Sequence, residues 1–304
     1  MKAARFLCMA LALASLAYSQ DKKDDPSQIG NRDVGKGLNF YSLEKEMALG
    51  KQLAREVRRQ AKIVDDGIVS EYINRLGQKL VRNSDAKVPF TFQVIDNEIP
   101  NAFSLPGGYV FVNTGLIELA EEEDELAGAM AHEIAHVAAR HMTREATKSQ
   151  IIAFAAMPLS FFLGGWVGLT AQPAAGLVAP MALLNFSRAD EAEADYLGVQ
   201  YMYAAGYDPT GVISIFEKLD ALARRNPGAM SRRLLATHPS DSERIQKTEK
   251  EIERILPPRA RYIVNTSEYH DMRERVFRME AQAKPEGQEK PPSLLQPRDS
   301  GPRQ

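Results

Sequence analysis

The apolar positions of this chain change period several times. After Ser42, Leu49, Leu53 and Val57 recur every four residues, which predicts an amphipathic helix. Ser42 can cap that helix, and Glu44 and Glu46 suit its first turns. A second helix is expected with Val69, Tyr72, Ile73, Leu76 and Leu80 on one face. The period then drops to two. Phe90, Phe92 and Val94 alternate with Thr91, Gln93 and Ile95, a strand pattern. Gly107-Gly108 predicts a turn, with a second strand over Tyr109 to Val112, and Thr114 is placed to cap the next element. One long helix is expected from about Asp124 to Thr147, its positive end matched by the acidic run Glu121 to Asp124. Further helices are expected over 187–205, ended by Gly206, and near 209–224 and 240–255. The pattern is that of an α+β protein, mostly helical, with a small sheet beside the long helix.

Residues 151–184 carry no charge, and 151–171 alone would be long enough to cross a bilayer. Pro158, Gly164, Gly165 and Gly168 interrupt the run, so a loop-and-helix lid is the expected reading, with membrane contact as the alternative. The chain start reads as a secretory signal over 1–19. Lys2 and Arg5 precede the apolar run FLCMALALASLA, and Ala17 and Ser19 offer a cleavage site; an uncleaved anchor is the alternative. A polar leader is expected over 20–37, a folded domain over 38–262, a helical extension over 263–281 and a disordered tail over 282–304.

Composition narrows the chemistry. The 304 residues allow a sizeable core, and 44% apolar content is ordinary for a globular protein. Lys+Arg at 38 against Asp+Glu at 40 argues against a nucleic-acid binder. The single cysteine, Cys8, lies in the apolar run, so no disulfide is expected after export.

Of only five histidines, three fall in AHEIAHVAARH, residues 131–141. Residues four apart on a helix lie about 40° apart around the axis, so His132 and His136 can share one metal ion. Glu133 beside them is placed to act as general base on a water held there, the HExxH arrangement. Two helical histidines that bind nothing is the bland alternative. His141, five residues beyond His136, points about 140° away on a regular helix, which leaves it a packing or hydrogen-bonding role. A catalytic zinc needs a third protein ligand. The acidic stretch DEAEAD offers Asp190, Glu191, Glu193 and Asp195. Glu191 and Asp195 share a face. Glu191 is favoured as ligand, with Asp195 holding the far nitrogen of a ligand histidine. Glu193 is expected to face solvent.

HExxH followed by ExxxD is the gluzincin pattern. Together with NAFSLPGGYVFVNTGL, SRADEAEADYLG and THPSDSERI, in this order, the chain resembles the HtpX/CAAX-prenyl-protease family of zinc metallopeptidases over roughly residues 40–250. The likeness is greatest to its soluble periplasmic branch, the BepA and LoiP type. The resemblance implies one Zn²⁺ per chain held by His132, His136 and Glu191, with Glu133 as catalytic base. It implies that His238 approaches the zinc, where it would hold the site latent or stabilise an oxyanion, and that Arg244 stands near it. It implies an exported endopeptidase acting on misfolded or misassembled envelope polypeptides, with peripheral contact to membrane or outer-membrane assembly machinery. An extended substrate is expected to add to the edge of the Tyr109–Val112 strand. His270 matches nothing in the family. BepA-type proteins carry a helical-repeat domain that is not expected here, and the lipid-attachment cysteine of LoiP-type proteins is absent. A chaperone-like binder with a latent zinc site and an integral-membrane protease are the alternative readings.

Overall fold

The computed structural model describes residues 24–155, 186–226, 238 and 242–283. Helix α1 (Leu43–Gln60) starts where the sequence places it, with Ser42 Oγ accepting from the Lys45 N–H at 3.3 Å. Helix α2 (Gly67–Arg82) is capped by Asp66, which accepts from the N–H groups of Ile68 and Val69, both at 3.1 Å. Its predicted stripe, Val69, Tyr72, Ile73, Leu76 and Leu80, is buried. Each such aliphatic side chain contributes about 1.5–3 kcal/mol by leaving water.

Three strands form one sheet: β1 (Thr91–Ile95), β2 (Ala102–Leu105) and β3 (Tyr109–Asn113). Their order is β1-β3-β2, with β1 parallel and β2 antiparallel to β3. The Gly107-Gly108 turn has φ of +74° and +89°, and a Cβ at Gly108 would lie 2.1 Å from the Pro89 carbonyl oxygen. Both glycines are therefore required there. Strand β2 is not evident from periodicity, because all four of its residues are buried and nothing alternates. Its presence overturns one expectation. Strand β3 is central, with both edges paired, so an extended chain cannot add to Tyr109–Val112.

Thr114 does not cap the short helix α3 (Thr114–Leu119). Its Oγ1 instead donates to the Asn97 carbonyl at 3.1 Å and accepts from the Asn97 N–H at 3.0 Å. The long helix expected to Thr147 is two helices. α4 (Glu123–Ala138) and α5 (His141–Ala155) are separated at Arg140, whose φ is +59°. Arg140 is held there by Glu46, which accepts from its Nε at 2.8 Å, and by the Tyr41 carbonyl.

Helix α4 is buried almost all round and is the centre of the molecule. It packs most extensively on α6 (Arg188–Ala205) and α7 (Gly211–Arg225). Gly128 sets the approach of α7, since a Cβ there would be 2.8 Å from Val212 Cα. Helix α6 ends at Gly206 in the left-handed conformation, as expected. Helices α8 (Ser242–Ile255) and α9 (Ser267–Ala283) complete the described residues. α9 places Tyr269, Met272 and Val276 in the main core beside α2 and α3.

The segment expected as a flexible leader is tied down from Asp24 onward. Buried Arg32 donates to Asp85 at 2.8 Å and to Gln200 of α6 at 2.6 Å, and Tyr201 OH donates to Asp85 at 3.0 Å. The signal segment, most of the uncharged stretch and the C-terminal tail lie outside the described residues. Among the described residues, no helix is long and apolar enough to cross a membrane.

Candidate active site

Helix α4 presents His132 and His136 one turn apart, and α6 crosses it closely enough to bring in Glu191. Gly198 permits that crossing, with its Cβ position 3.3 Å from the His132 backbone nitrogen. His132 Nε2 and His136 Nε2 are 3.0 Å apart. Glu191 Oε2 is 3.5 Å from His132 Nε2, and Glu191 Oε1 is 3.5 Å from His136 Nε2. One donor atom each from His132, His136, Glu191 and His238 lies within 4.8 Å of all the others. Ligands about 2.0 Å from a tetrahedral ion lie about 3.3 Å from one another, so these spacings fit a zinc centre.

The outer faces of the histidines are occupied. His132 Nδ1 stands 2.9 Å from Asp195 Oδ1, one turn beyond Glu191 on α6. A carboxylate only accepts, so the ring proton belongs on Nδ1 and the lone pair on Nε2 faces the centre. His136 is stacked on Phe186, centroids 4.0 Å apart, and its Nδ1 lies 2.9 Å from His141 Nδ1. Burial pushes the His136 imidazole down to about 3, which keeps it neutral and able to donate a lone pair.

Arg244 of α8 closes the site from the other side. Its Nη1 lies 2.8 Å from Glu191 Oε2, and its Nη2 donates to Asp195 Oδ1 at 2.8 Å. Its guanidinium lies over the Phe216 ring, 4.7 Å from the centroid. Burial alone would raise the Asp195 carboxyl, but Arg244 and His132 together outweigh it and hold the group below the usual range.

Glu133, on the adjacent side of α4, is buried and accepts from Ser104 Oγ of β2 at 2.8 Å. Its other oxygen lies 3.0 Å from His238 Nε2. Burial opposes its ionisation, yet His238, His136 and His132 hold it at about 2, so it stays a carboxylate at neutral pH. His238 Nδ1 lies 2.8 Å from Glu191 Oε1. Its ring therefore bridges the two carboxylates.

All seven residues singled out in the sequence thus meet in one place: His132, Glu133, His136, Glu191, Asp195, His238 and Arg244. Glu193 departs from expectation. It does not simply face solvent but lies 3.3 Å from His141 Nε2 and accepts from Arg144 at 3.1 Å. The break at Arg140 turns α5 so that His141 and Arg144 reach it. Sequence reasoning also missed Ser104 and Phe186. The only signal for Ser104 was a hydroxyl inside an apolar run, and Phe186 gave none. His270 is exposed, with Asn265 Nδ2 at 3.0 Å, and is not part of the cluster.

Two helix histidines, a carboxylate from a following helix and a glutamate beside them define the metallopeptidase class of gluzincin type. The match to the model of peptidase family M48 runs over residues 68–252, and the chain belongs to that family. Zinc is the cofactor that this family and this donor set specify. The chain is 31% identical over 246 residues to the beta-barrel assembly-enhancing protease of Yersinia pestis, covering 76% of this chain and 49% of that protein. It is 32% identical to the putative beta-barrel assembly-enhancing protease of Vibrio cholerae over 89% of this chain and 56% of that protein. It is 33% identical to the mitochondrial metalloendopeptidase OMA1 of Schizosaccharomyces pombe, over 59% of this chain and 52% of that protein. The chain spans about half the length of these curated relatives.

Proposed function

We propose that this chain is a zinc-dependent endopeptidase in which His132, His136 and Glu191 hold the metal and Glu133 is the general base. The observation that carries this reading is the convergence of those three donors beside a buried, ionised Glu133. Zinc would supply Lewis-acid polarisation of the scissile carbonyl and acidify a water. Glu133 takes the proton of the attacking water and delivers it to the leaving amine. Ser104 fixes the Glu133 carboxylate, and Asp195 with Arg244 fixes His132 and Glu191.

Substrate chains are proposed to bind along β2. The Asn113 N–H to Asn101 carbonyl bond marks residues 101 and 113 as a hydrogen-bonded pair. By antiparallel alternation, Ala102 and Ser104 then turn their backbone groups away from β3. Among the described residues, no strand takes that edge. A small cleft at Asn101, Ala102, His132, Glu133 and Phe216 lies at one end of β2, and a smaller one at Ser104, Leu105 and His136 at the other. Main-chain pairing there would accept many sequences, which suits unfolded or misassembled polypeptides. The names of the bacterial relatives point to outer-membrane β-barrel assembly as the setting. Export by the signal segment, a periplasmic location and peripheral contact with membrane or assembly machinery belong to the same proposal.

A latent, client-binding reading has one specific support. The His238 ring stands between Glu133 and Glu191, where a substrate water would sit. The deciding experiment is zinc content and cleavage of unfolded casein by the purified chain. Glu133→Gln is expected to keep one zinc per chain and lose about 10²–10⁴ of the cleavage rate. His238→Ala is expected to raise cleavage if the site is latent. Zinc without cleavage in both wild type and His238→Ala would replace the endopeptidase with the binder, and a chain without zinc would overturn the ligand assignment.

A further inference from the structure

His141 is fully buried, so both of its ring nitrogens need polar partners, and which partners they find is what matters. Its two nitrogens face different chemistry. Nε2 looks toward carboxylates, Glu193 Oε2 at 3.3 Å and Asp190 Oδ1 at 3.7 Å. Nδ1 looks toward His136 Nδ1 at 2.9 Å. A neutral imidazole has one N–H and one lone pair. Carboxylates only accept, so the hydrogen of His141 sits on Nε2. Nδ1 is then the bare nitrogen, and the short contact to His136 requires that His136 Nδ1 donate. His136 is thereby left with its lone pair on Nε2, aimed at His132 Nε2 and Glu191.

We infer that His141 is a positioning residue for the metal centre: with Glu193 behind it, it fixes the ring orientation and tautomer of His136. The inference rests on the reading of His136 as a ligand. Glu193 is kept in place by Arg144 at 3.1 Å, from the turn of α5 that follows His141. His132 and His136 thus reach a carboxylate by different routes, His132 directly through Asp195 and His136 through an interposed imidazole. The device depends on the chain break. On a continuous helix His141 would point about 140° from His136. Arg140, at φ +59°, reverses the chain direction enough to return His141 to the same side. A non-glycine residue held in that conformation, against Glu46, is the local cost of the arrangement.

The test is zinc affinity by chelator competition on the purified full chain, with the tautomer of His136 read from imidazole ¹⁵N resonances before zinc is added. His141→Phe keeps the ring volume and removes the acceptor. It is expected to weaken zinc about 10–100-fold and to turn a single Nδ1–H tautomer of His136 into a mixture. His141→Asn places an oxygen where Nδ1 stands and is expected to restore most of the loss. Equal affinity in His141→Phe and wild type, an Asn variant as weak as Phe, or a tautomer mixture in wild type would each overturn the inference. Should His141→Phe fail to fold, Glu193→Ala carries the test from a partly exposed position, and wild-type affinity there would also overturn it. A wild-type chain that binds no zinc would instead remove the ligand reading itself.

Discussion

At the scale of single residues, the site works by giving each polar atom one permissible role. Asp195 illustrates this. It is buried, lies 2.9 Å from His132 Nδ1, and takes Arg244 on its other side. Replacing it with Asn lets the amide turn its NH₂ toward the ring and removes the reason for the Nδ1–H tautomer. Asp195→Asn is expected to weaken zinc about 10–100-fold by chelator competition while Glu133→Gln does not. Zinc affinity unchanged in Asp195→Asn would mean that His132 is held by the helix alone. His132, Glu133 and His136 were legible in the sequence because helix geometry turns spacing into direction. Ser104 was not, because its partner Glu133 lies 29 residues away across a strand–helix packing.

At the scale of elements, the buried start of α4 makes a pH-dependent contribution. Burial raises the Asp124 carboxyl to about 7, with Asp208 and Glu125 adding to the effect. The folded chain therefore holds this proton more tightly than the unfolded chain does. Stability from this group is present at low pH and falls as pH rises from about 4 to about 7. Asp124→Asn is expected to match the wild-type melting temperature near pH 4 and exceed it by pH 8. A constant difference across that range would show that Asp124 does not titrate with folding. The start of α1 was anticipated, because Ser42 caps locally, whereas Thr114 is drawn to Asn97 and does not cap α3. The break at Arg140 was not, because Arg140 is an ordinary helix former and its left-handed backbone is held by Glu46, 94 residues earlier.

At the scale of the molecule, the N-terminal segment is part of the fold. Arg32 joins Asp85 at the end of α2 to Gln200 on α6, the helix that carries Glu191. Among the described residues, Arg32→Ala would leave buried Asp85 with Tyr201 and the Gly30 N–H as its hydrogen-bond partners. A loss of about 3–5 kcal/mol is expected in denaturant unfolding. A loss below about 1 kcal/mol would mean that the segment rests on the surface without holding α6. Polar residues such as those in 21–37 read as a linker by composition, since composition is silent about a distant buried carboxylate. Strand β2 was hidden for a related reason: its four residues are covered on both faces, so the two-residue period that betrays a half-exposed strand is missing.

The sequence by itself determined the donor set on which the proposed chemistry rests. Two histidines four apart, a glutamate between them and an acidic pair four apart specify a metal centre through the regular geometry of a helix, wherever those helices lie. It also determined most helix starts and the glycine turn, since caps and positive φ are local requirements. Only the tertiary structure decided which strand edge is left for an extended chain, where the long helix breaks, and what stands behind each ligand. Those features depend on partners dozens of residues apart, brought together by burial around α4, and no local pattern records them.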